Sequence, residues 1–591
     1  MNSLTESVLN VNCFTSMKIL LIYPYCLDTR LHAEDISVVP IGVYYVAAVL
    51  KQNHFDVEIL NWYNINETPH KIEEILRAKK PDVIGFSILH ANRWGGIEVA
   101  RITKGINPKI KIVFGGIGAS FLWDHLLIHF SEIDYVVIGE GEYRFLELVR
   151  CLDQNHTQKL EHIPGIAFRK SGRAFKTDDA AEEICDLDGV PNPARYFDYR
   201  HLVFTRGCVW KCNFCGSPQY WGGRIRFHSV EYFVEQIERL YSRGITFFYF
   251  SDDTFSIDQK RVIEICQSII QRKLNITWAA ISRVDDAREK SLVWMRKAGC
   301  IQISYGVESG SEKIRKFLKK NISTKQIKKA FALTQKYGIM ARAYFIYGCP
   351  QENWETIQET IDLMNEIKPL SAIFYILDIF PGTELYEDFK KRENVSDDIW
   401  LNRIEDIMYF ETDPVFTPEL IVAFGKKLRT SFYSNLPAYI KDIELIDDEE
   451  WYPYHSDFYS RLAMTFDHGD YAQIEAIKEN ETIAESLYQK ALNYFPNQRA
   501  FLGLGILKQK KNDYSASTEL LSRGLYHFPD DPQLNICQGV SWMNMGRYEQ
   551  ALDHFLKFQN IKAAVQYAAN CYTMLNDVEN ASILHKKLQS I

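Results

Sequence analysis

The stretch Thr205-Arg206-Gly207-Cys208-Val209-Trp210-Lys211-Cys212-Asn213-Phe214-Cys215 places three cysteines in the spacing C-x3-C-x2-C. A 4Fe–4S cluster held by three cysteines keeps one iron open to an outside ligand, whereas an electron-transfer cluster is normally held by four. Gly207 lets the backbone turn into the loop, and Trp210 and Phe214 put apolar bulk around it, limiting solvent. Two other readings stand beside the cluster: a zinc site, and cysteines packed together by chance. Structural zinc usually takes four protein ligands, and no second Cys or His cluster follows nearby.

On both sides of this loop, apolar runs alternate with amphipathic segments. Strands are expected near 202–205, 246–251, 276–282, 301–306, 341–347 and 372–379, with helices such as 231–243, 258–272, 287–298, 324–337 and 354–366 between them. Six parallel units make an incomplete barrel whose catalytic groups gather at the carboxyl ends of the strands. Ahead of it, strands near 18–23, 56–60, 82–87, 111–114 and 135–138 alternate with helices near 40–50 and 71–80, the rhythm of a doubly wound parallel sheet. Its strand ends carry Tyr23-Pro24, Ser87, Gly115-Gly116-Ile117-Gly118 and Gly139-Glu140-Gly141-Glu142, small residues that let a large planar ligand approach backbone amides.

The cysteine loop resembles that of the radical S-adenosylmethionine superfamily. That resemblance implies an open iron chelated by the amino and carboxylate groups of S-adenosylmethionine, which the reduced cluster cleaves to a 5′-deoxyadenosyl radical. The order Pro40-Ile41-Gly42, Gly115-Gly116, Gly139-Glu140-Gly141-Glu142 resembles the cobalamin-binding domain that precedes many of these enzymes, over about residues 17–150. One feature departs from classical cobalamin modules: Asp28 is followed by Thr29 and Arg30, not by the Asp-x-His-x-x-Gly loop whose histidine ligates cobalt. His32 and His90 read as solvated loop histidines, so the resemblance implies cobalamin bound without one. A degenerate domain that has lost cobalamin stays open.

The resemblance also implies roles residue by residue. Cys208, Cys212 and Cys215 would be the metal ligands of the catalytic cluster. Asp252 and Asp253, after the second barrel strand, would face the substrate amino acid's ammonium, and Arg283 would bind the carboxylate of S-adenosylmethionine. Glu308 would accept the ribose hydroxyls, and Gly348 with Pro350 would meet the adenine. Tyr23, Pro40, Gly42, Ser87, Gly115, Gly116, Gly139 and Glu140 would line the cobalamin site. From the residues alone, acidic and glycine positions cap strand–helix loops in any barrel. Arg224 and Arg226 are candidates for a cofactor phosphate or an acidic substrate, or form a solvated basic loop; Cys349 reads as packing.

The 591 residues are 46% apolar and 24% charged, ordinary globular material for three or four domains. A net charge of −8 and a pI near 6.1 suggest no nucleic-acid partner, and no apolar run is long enough for a membrane span. Residues 1–16 fail as a signal peptide and form a short tail, or translation starts at Met17. The twelve cysteines show no disulfide framework, which with an oxygen-sensitive cluster fits a reducing cytoplasm. The expected layout is tail 1–16, cobalamin-binding domain 17–150, connector 151–195 with a small hairpin, barrel 196–390, helical and aromatic extension 391–470, and repeats 471–591. The repeats rest on pairs 34 residues apart, Gly505 and Gly539, Tyr514 and Tyr548, Ser517 and Ala551, Leu521 and Phe555. This is the tetratricopeptide pattern, an all-α stack that serves as a docking surface or a structural cap.

The expected function is a cobalamin-dependent radical S-adenosylmethionine methyltransferase acting on an unactivated carbon. It would use a 4Fe–4S cluster, S-adenosylmethionine and cobalamin, with electrons from a flavodoxin- or ferredoxin-type protein. The substrate would be a small molecule, lipid or peptide, and a protein partner could sit at the repeats. A cyclase or oxidase of the same lineage is the alternative, and a non-catalytic repeat scaffold is the reading from another class. A methylthiotransferase of transfer RNA would carry three further cysteines in the front domain and a basic RNA-binding tail, whereas here the front domain offers only Cys26 and the tail is helical repeat.

Overall fold

The computed structural model describes residues 17–27, 41–63, 69–178 and 183–589; Asp28, Thr29, Arg30, His32 and Pro40 lie outside them. The front domain carries strands β1 (Lys18–Tyr23), β2 (Asp56–Asn61), β3 (Val83–Ser87), β4 (Lys111–Gly115) and β5 (Tyr135–Val137), with helices α1 (Ile41–Gln52), α2 (Pro69–Lys79), α3 (Arg93–Ile106), α4 (Ile117–Phe121), α5 (Trp123–His129) and α6 (Glu142–Asp153). These five strands pair in parallel in the order β2-β1-β3-β4-β5. Burial on both faces explains the near-continuous apolar runs of β1, β3, β4 and β5, while β2 at the sheet edge is only partly buried. In β1, Ile19 and Leu21 pack with Val43, Ala47 and Phe145, while Leu20 and Ile22 pack with Trp94 and Ile97.

The expected connector is not separate from this sheet. Its hairpin, β6 (Ile166–Lys170) and β7 (Arg173–Lys176), pairs antiparallel onto β5 and extends the sheet to seven strands. β5 would otherwise end as an open edge, and an added hairpin is a common way to cover one.

The barrel begins with β8 (His201–Leu202), shorter than expected, followed by β9 (Thr205–Arg206), α7 (Ser217–Tyr220), β10 (Arg226–Phe227) and α8 (Val230–Tyr241). The expected strand 202–205 breaks because the Asp252 carboxylate takes the N–H groups of Phe204 and Thr205 at 2.9 and 2.5 Å. β9 then pairs antiparallel with β10. The series continues through β11 (Phe247–Phe250), α9 (Gln259–Gln271), β12 (Thr277–Ser282), α10 (Glu289–Lys297), β13 (Cys300–Glu308), α11 (Glu312–Phe317), α12 (Thr324–Lys336), β14 (Met340–Tyr347), α13 (Trp354–Ile367), β15 (Ser371–Ile376) and α14 (Glu384–Glu393). The sheet order β15-β14-β13-β12-β11-β8 is the open, six-stranded partial barrel read from the sequence.

Beyond α14 the chain forms α15 (Pro418–Lys441) and α16 (Tyr452–Asp467). The stack follows as α17 (Asn480–Tyr494), α18 (Gln498–Lys510), α19 (Tyr514–His527), α20 (Pro532–Asn544), α21 (Tyr548–Phe555), α22 (Lys562–Met574) and α23 (Val578–Leu588). The molecule divides into two compact units. One holds the chain to Ala330 with Arg342–Met364 and Ala372–Leu428; the other holds Phe331–Ala341, Asn365–Ser371 and Arg429–Ile591. The helical unit therefore begins well before the expected boundary at 471, and it takes in two pieces of barrel sequence. Within it, Tyr337 packs on Trp451, and the Tyr471 hydroxyl donates to the Leu370 carbonyl at 2.8 Å. A cut at residue 470 would separate α16 from α17 and split a continuous core.

Asx residues start several of these helices: Asn497, Asp513, Asp531 and Asp577 each accept the backbone N–H three residues on, at 2.8–3.1 Å. The 34-residue pairs recur as contacts. A Cβ on Gly505 would lie 2.6 Å from Leu521, and one on Gly539 would lie 2.6 Å from Phe555. Gly539→Val should therefore overpack the α20–α21 contact at a cost of about 1–3 kcal/mol. The check is a lower denaturant midpoint by circular dichroism; an unchanged midpoint would mean the helices separate freely there.

Candidate active site

The cysteine loop is held from both sides. Gly207 sits at φ +105°, and a Cβ there would fall 2.0 Å from the Arg224 carbonyl, so the turn into Cys208 admits only glycine. In mid-loop, Asn213 donates its amide to the Phe317 carbonyl at 2.8 Å and its N–H to that of Leu318 at 3.3 Å. Its own carbonyl accepts from Leu385 at 3.1 Å, tying the loop to α11 and α14. Burial pushes the Cys215 thiol up to about 12 and also raises Cys208 and Cys212. Three half-buried thiols that resist ionisation are a ligand set in need of positive charge, which a metal cluster supplies.

Charged groups converge beside the loop. The Arg283 guanidinium lies 3.9 Å from the Trp210 ring centre and pairs with Asp285 at 3.0 Å. Glu308, at φ +67°, accepts from Lys320 Nζ at 2.8 Å, and both are buried. A Cβ on Gly306 would come within 2.7 Å of Lys320 Nζ and 2.5 Å of Glu308 Oε1, so this glycine leaves space for the pair. Arg283 and Lys320 both draw the Cys212 thiol downward, against the larger effect of burial. Lys320 was not among the residues singled out from the sequence: in the run Lys319-Lys320-Asn321 it reads as a solvated loop lysine, and only the fold turns it inward.

Asp252 serves the scaffold with one oxygen. Its Oδ1 accepts from Phe204 N, Thr205 N and Thr205 Oγ1, while Oδ2 is buried without a partner. Burial pushes this carboxyl up to about 7. Asp253 Oδ2 accepts from Ser217 at 2.5 Å. Gly348, at φ +78°, and Cys349 give their N–H groups to Glu352, which burial pushes up to about 7. Glu352 also went unread, because one carboxylate at the start of a helix carries no sequence signal of its own. Pro350 follows in the same turn, and Cys349 is fully buried.

A cavity of about 450 Å³ opens at the strand ends of the front sheet. Gly42, Ser87, Gly115, Gly116, Gly139 and Glu140 line it, and Leu21, Gly85, Val113 and Phe145 extend it between sheet and helices. Of the barrel-side candidates Asp252 and Asp253 line the same cavity, beside Gly207 and Ser217, whereas Cys208, Cys212, Cys215, Arg283, Glu308, Gly348 and Pro350 do not. Tyr23 does not line it; its buried ring stacks with Tyr63.

Three sequence expectations change. Glu140 is already engaged, by Arg206 at 2.7 Å, Arg226 at 2.8 Å and Ile184 N at 2.9 Å. Burial would raise its pKa, but these partners hold it below the usual value. Arg226 is thus spent on Glu140, and exposed Arg224 lies 3.7 Å from Glu183. His90 is not solvated: it is buried, 4.2 Å from Trp400 centre to centre and beside Arg93, outside the cavity lining. Burial keeps it neutral, far below the ordinary histidine range.

Residues 202–364 match the family model of the radical SAM superfamily, and residues 36–149 that of the B12 binding domain. An uncharacterized methyltransferase of Pyrococcus horikoshii is 32% identical over 444 residues, covering 72% of this chain and 95% of that protein. The chain belongs to the cobalamin-binding radical S-adenosylmethionine enzymes. Within this family it is also similar to an anaerobic magnesium-protoporphyrin IX monomethyl ester cyclase of Rubrivivax gelatinosus, 28% identical over 62% of this chain and 69% of that one. The fold matches the cobalamin-dependent S-adenosylmethionine radical enzyme OxsB with aqua-cobalamin and S-adenosylmethionine bound. That match has a TM-score of 0.55 at 17% identity, over 98% of this chain and 84% of the other.

In this radical S-adenosylmethionine enzyme the geometry suits the groups its family implies. The glycine-rimmed cavity is walled by Leu21, Val113 and Phe145, the apolar lining with few polar groups that cofactor pockets commonly have. Two predictions follow from the loop's supports. Gly207→Ala should lower iron loading on anaerobic reconstitution severalfold, measured as iron per chain, because the loop must move to admit the methyl group; full loading would show that the turn tolerates a side chain. Arg206→Met leaves Glu140 and Glu142 without the arginine now 2.7 and 2.6 Å from them, at a cost of about 3–5 kcal/mol. Glu140's lowered pKa means its stabilisation is present above the unfolded carboxylate pKa and lost as pH falls through the folded value. The variant's deficit in urea melts should thus be largest near neutrality and shrink toward acid.

Proposed function

We propose that the chain is a methyltransferase that adds a methyl group to an unactivated carbon of a small molecule, lipid or peptide. The observation that carries this reading is the single cavity shared by the front-sheet loops and the residues leading into and out of the cysteine loop. Cys208, Cys212 and Cys215 would hold the 4Fe–4S cluster. Arg283, on its Trp210 platform, is set to grip the carboxylate of S-adenosylmethionine. Glu308 and Lys320 would contact its ribose and amino-acid portions, and the Gly348 turn, fixed by Glu352, would present backbone to adenine. Gly42, Ser87, Gly115, Gly116 and Gly139 would receive the corrin. When bound, these groups supply a carbon-radical source and a transferable methyl.

The protein's own contribution is positioning and exclusion of water. The Arg206, Glu140 and Glu142 network joins the corrin-side loop to the residue two places before Cys208. Trp221 lines the cavity beside Gly207 and adds apolar bulk there, so a reactive intermediate meets fewer exchangeable protons. Electrons would come from a flavodoxin- or ferredoxin-type protein, and an oxygen-labile cluster would suit a reducing cytoplasm. The helical unit, with its tetratricopeptide-like pairs, would dock substrate or a protein partner. Among the described residues no helix is long and apolar enough to cross a membrane.

The similarity to a ring-forming cyclase favours a second reading, chemistry without methyl transfer, and product analysis separates the two. Full-length protein, reconstituted anaerobically with cluster and cobalamin and then reduced, should release both 5′-deoxyadenosine and S-adenosylhomocysteine from S-adenosylmethionine. Cys212→Ala should abolish the 5′-deoxyadenosine. Deoxyadenosine with no S-adenosylhomocysteine in cobalamin-loaded protein would favour the cyclase; continued cleavage in Cys212→Ala would refute the radical assignment.

A further inference from the structure

His125 and His129 stand four residues apart in α5 and so share one face of the helix. Asp398 reaches them from the short 3-10 helix Asp397–Leu401, far along the chain. One ligand atom from each of the three lies within 4.8 Å of the others. His129 Nε2 is 3.1 Å from Asp398 Oδ1, His125 Nδ1 is 3.9 Å from the same oxygen, and the two rings are 4.8 Å apart. None of the three lines the strand-end cavity.

Ordinary hydrogen bonding does not account for this cluster. His125 is only 4% exposed, its Nε2 is buried without a partner, and its Nδ1 is too far from Asp398 for a hydrogen bond. Burying an imidazole with a ring nitrogen unsatisfied is costly. The neighbouring acid Asp397 is committed elsewhere, to the Tyr386 hydroxyl at 2.7 Å and to Lys390 at 3.2 Å.

We propose that His125, His129 and Asp398 form a zinc site that pins the segment after the barrel onto α5 of the front domain. Two imidazoles and one carboxylate are a borderline nitrogen–oxygen donor set, suited to Zn²⁺ and unsuited to Mg²⁺ or Ca²⁺, which take oxygen. Bonds of about 2.0–2.2 Å in a tetrahedron put ligand atoms roughly 3.3–3.5 Å apart, between the two distances found here. Water completes the coordination, since Asp398 is largely exposed.

Such a bridge has a definite mechanical consequence. The 3-10 helix bearing Asp398 also carries Trp400, fully buried against His90 and under the Arg93 guanidinium. A few residues on, Ile404 accepts from Arg93 and from the Trp94 indole, and Glu405 accepts from Leu27 N and Trp94 N. A metal at Asp398 would fasten the leading end of this strap.

The test uses the full-length chain with its cluster reconstituted, so that iron occupies the three loop cysteines. After equilibration with Zn²⁺ and desalting, zinc and iron are counted together by mass spectrometry. The expected result is about one zinc per chain beside about four irons. In His129→Ala and in Asp398→Asn, both at partly exposed side chains, zinc affinity should fall at least about tenfold with the iron count unchanged. Zinc should also raise the thermal midpoint of the parent and not of either variant. Should His129→Ala prevent folding, Asp398→Asn carries the test alone. Zinc that stays at parental level in both soluble variants, or no retained zinc in the parent, would overturn the site.

Discussion

A buried arginine that serves two carboxylates holds the working parts of this enzyme together. Arg206 stands two residues before Cys208, yet its guanidinium is spent on Glu140 and Glu142, from the last strand-end loop of the front sheet. The Tyr45 ring lies 5.1 Å below it, and Arg226 closes the network from β10. Taking these charges out of water is expensive, and breaking the set would leave an unpaired ion inside. The energetic weight of the network thus falls on geometry: the loop that would hold iron and the loop that would hold a corrin cannot drift apart without exposing or orphaning charge.

Other supports act in the same direction. Asp252 takes backbone N–H groups from the expected first barrel strand and so releases that strand from the sheet, turning its end toward the cysteines. Asn213 pins the middle of the loop, and Glu352 fixes the turn at Gly348. Each is a polar side chain satisfying backbone groups where regular structure stops, and each stands beside a group proposed to hold a cofactor. Buried carboxyls with raised pKa, Asp252 and Glu352 among them, therefore mark the scaffold of the site as much as its chemistry.

The segment beyond α14 shows how a stretch with no legible motif can matter. Residues 397–405 lie across the front domain, where Trp400, Arg403 and Glu405 each meet it. Nothing in their spacing announces this, because the contacts join residues some three hundred positions apart. The same holds for the His125, His129 and Asp398 cluster, of which only the histidine pair shares a local period.

From the sequence by itself came the three-cysteine loop, the alternation of strand and helix, the glycine-bearing strand ends and the 34-residue period. These depend on local spacing: thiolates must be neighbours to share a cluster, buried strands must be apolar, and Gly505 and Gly539 must be small to meet Leu521 and Phe555. Only the tertiary structure decided which polar residues were free for chemistry. Glu140 and Arg226 looked like ligand contacts until each proved to be the other's partner, and His90 looked solvated until Trp400 covered it. Lys320 looked solvated until the fold turned it onto Glu308. A charged residue's role depends on what neutralises it, and that partner is chosen by long-range packing, which no local pattern records.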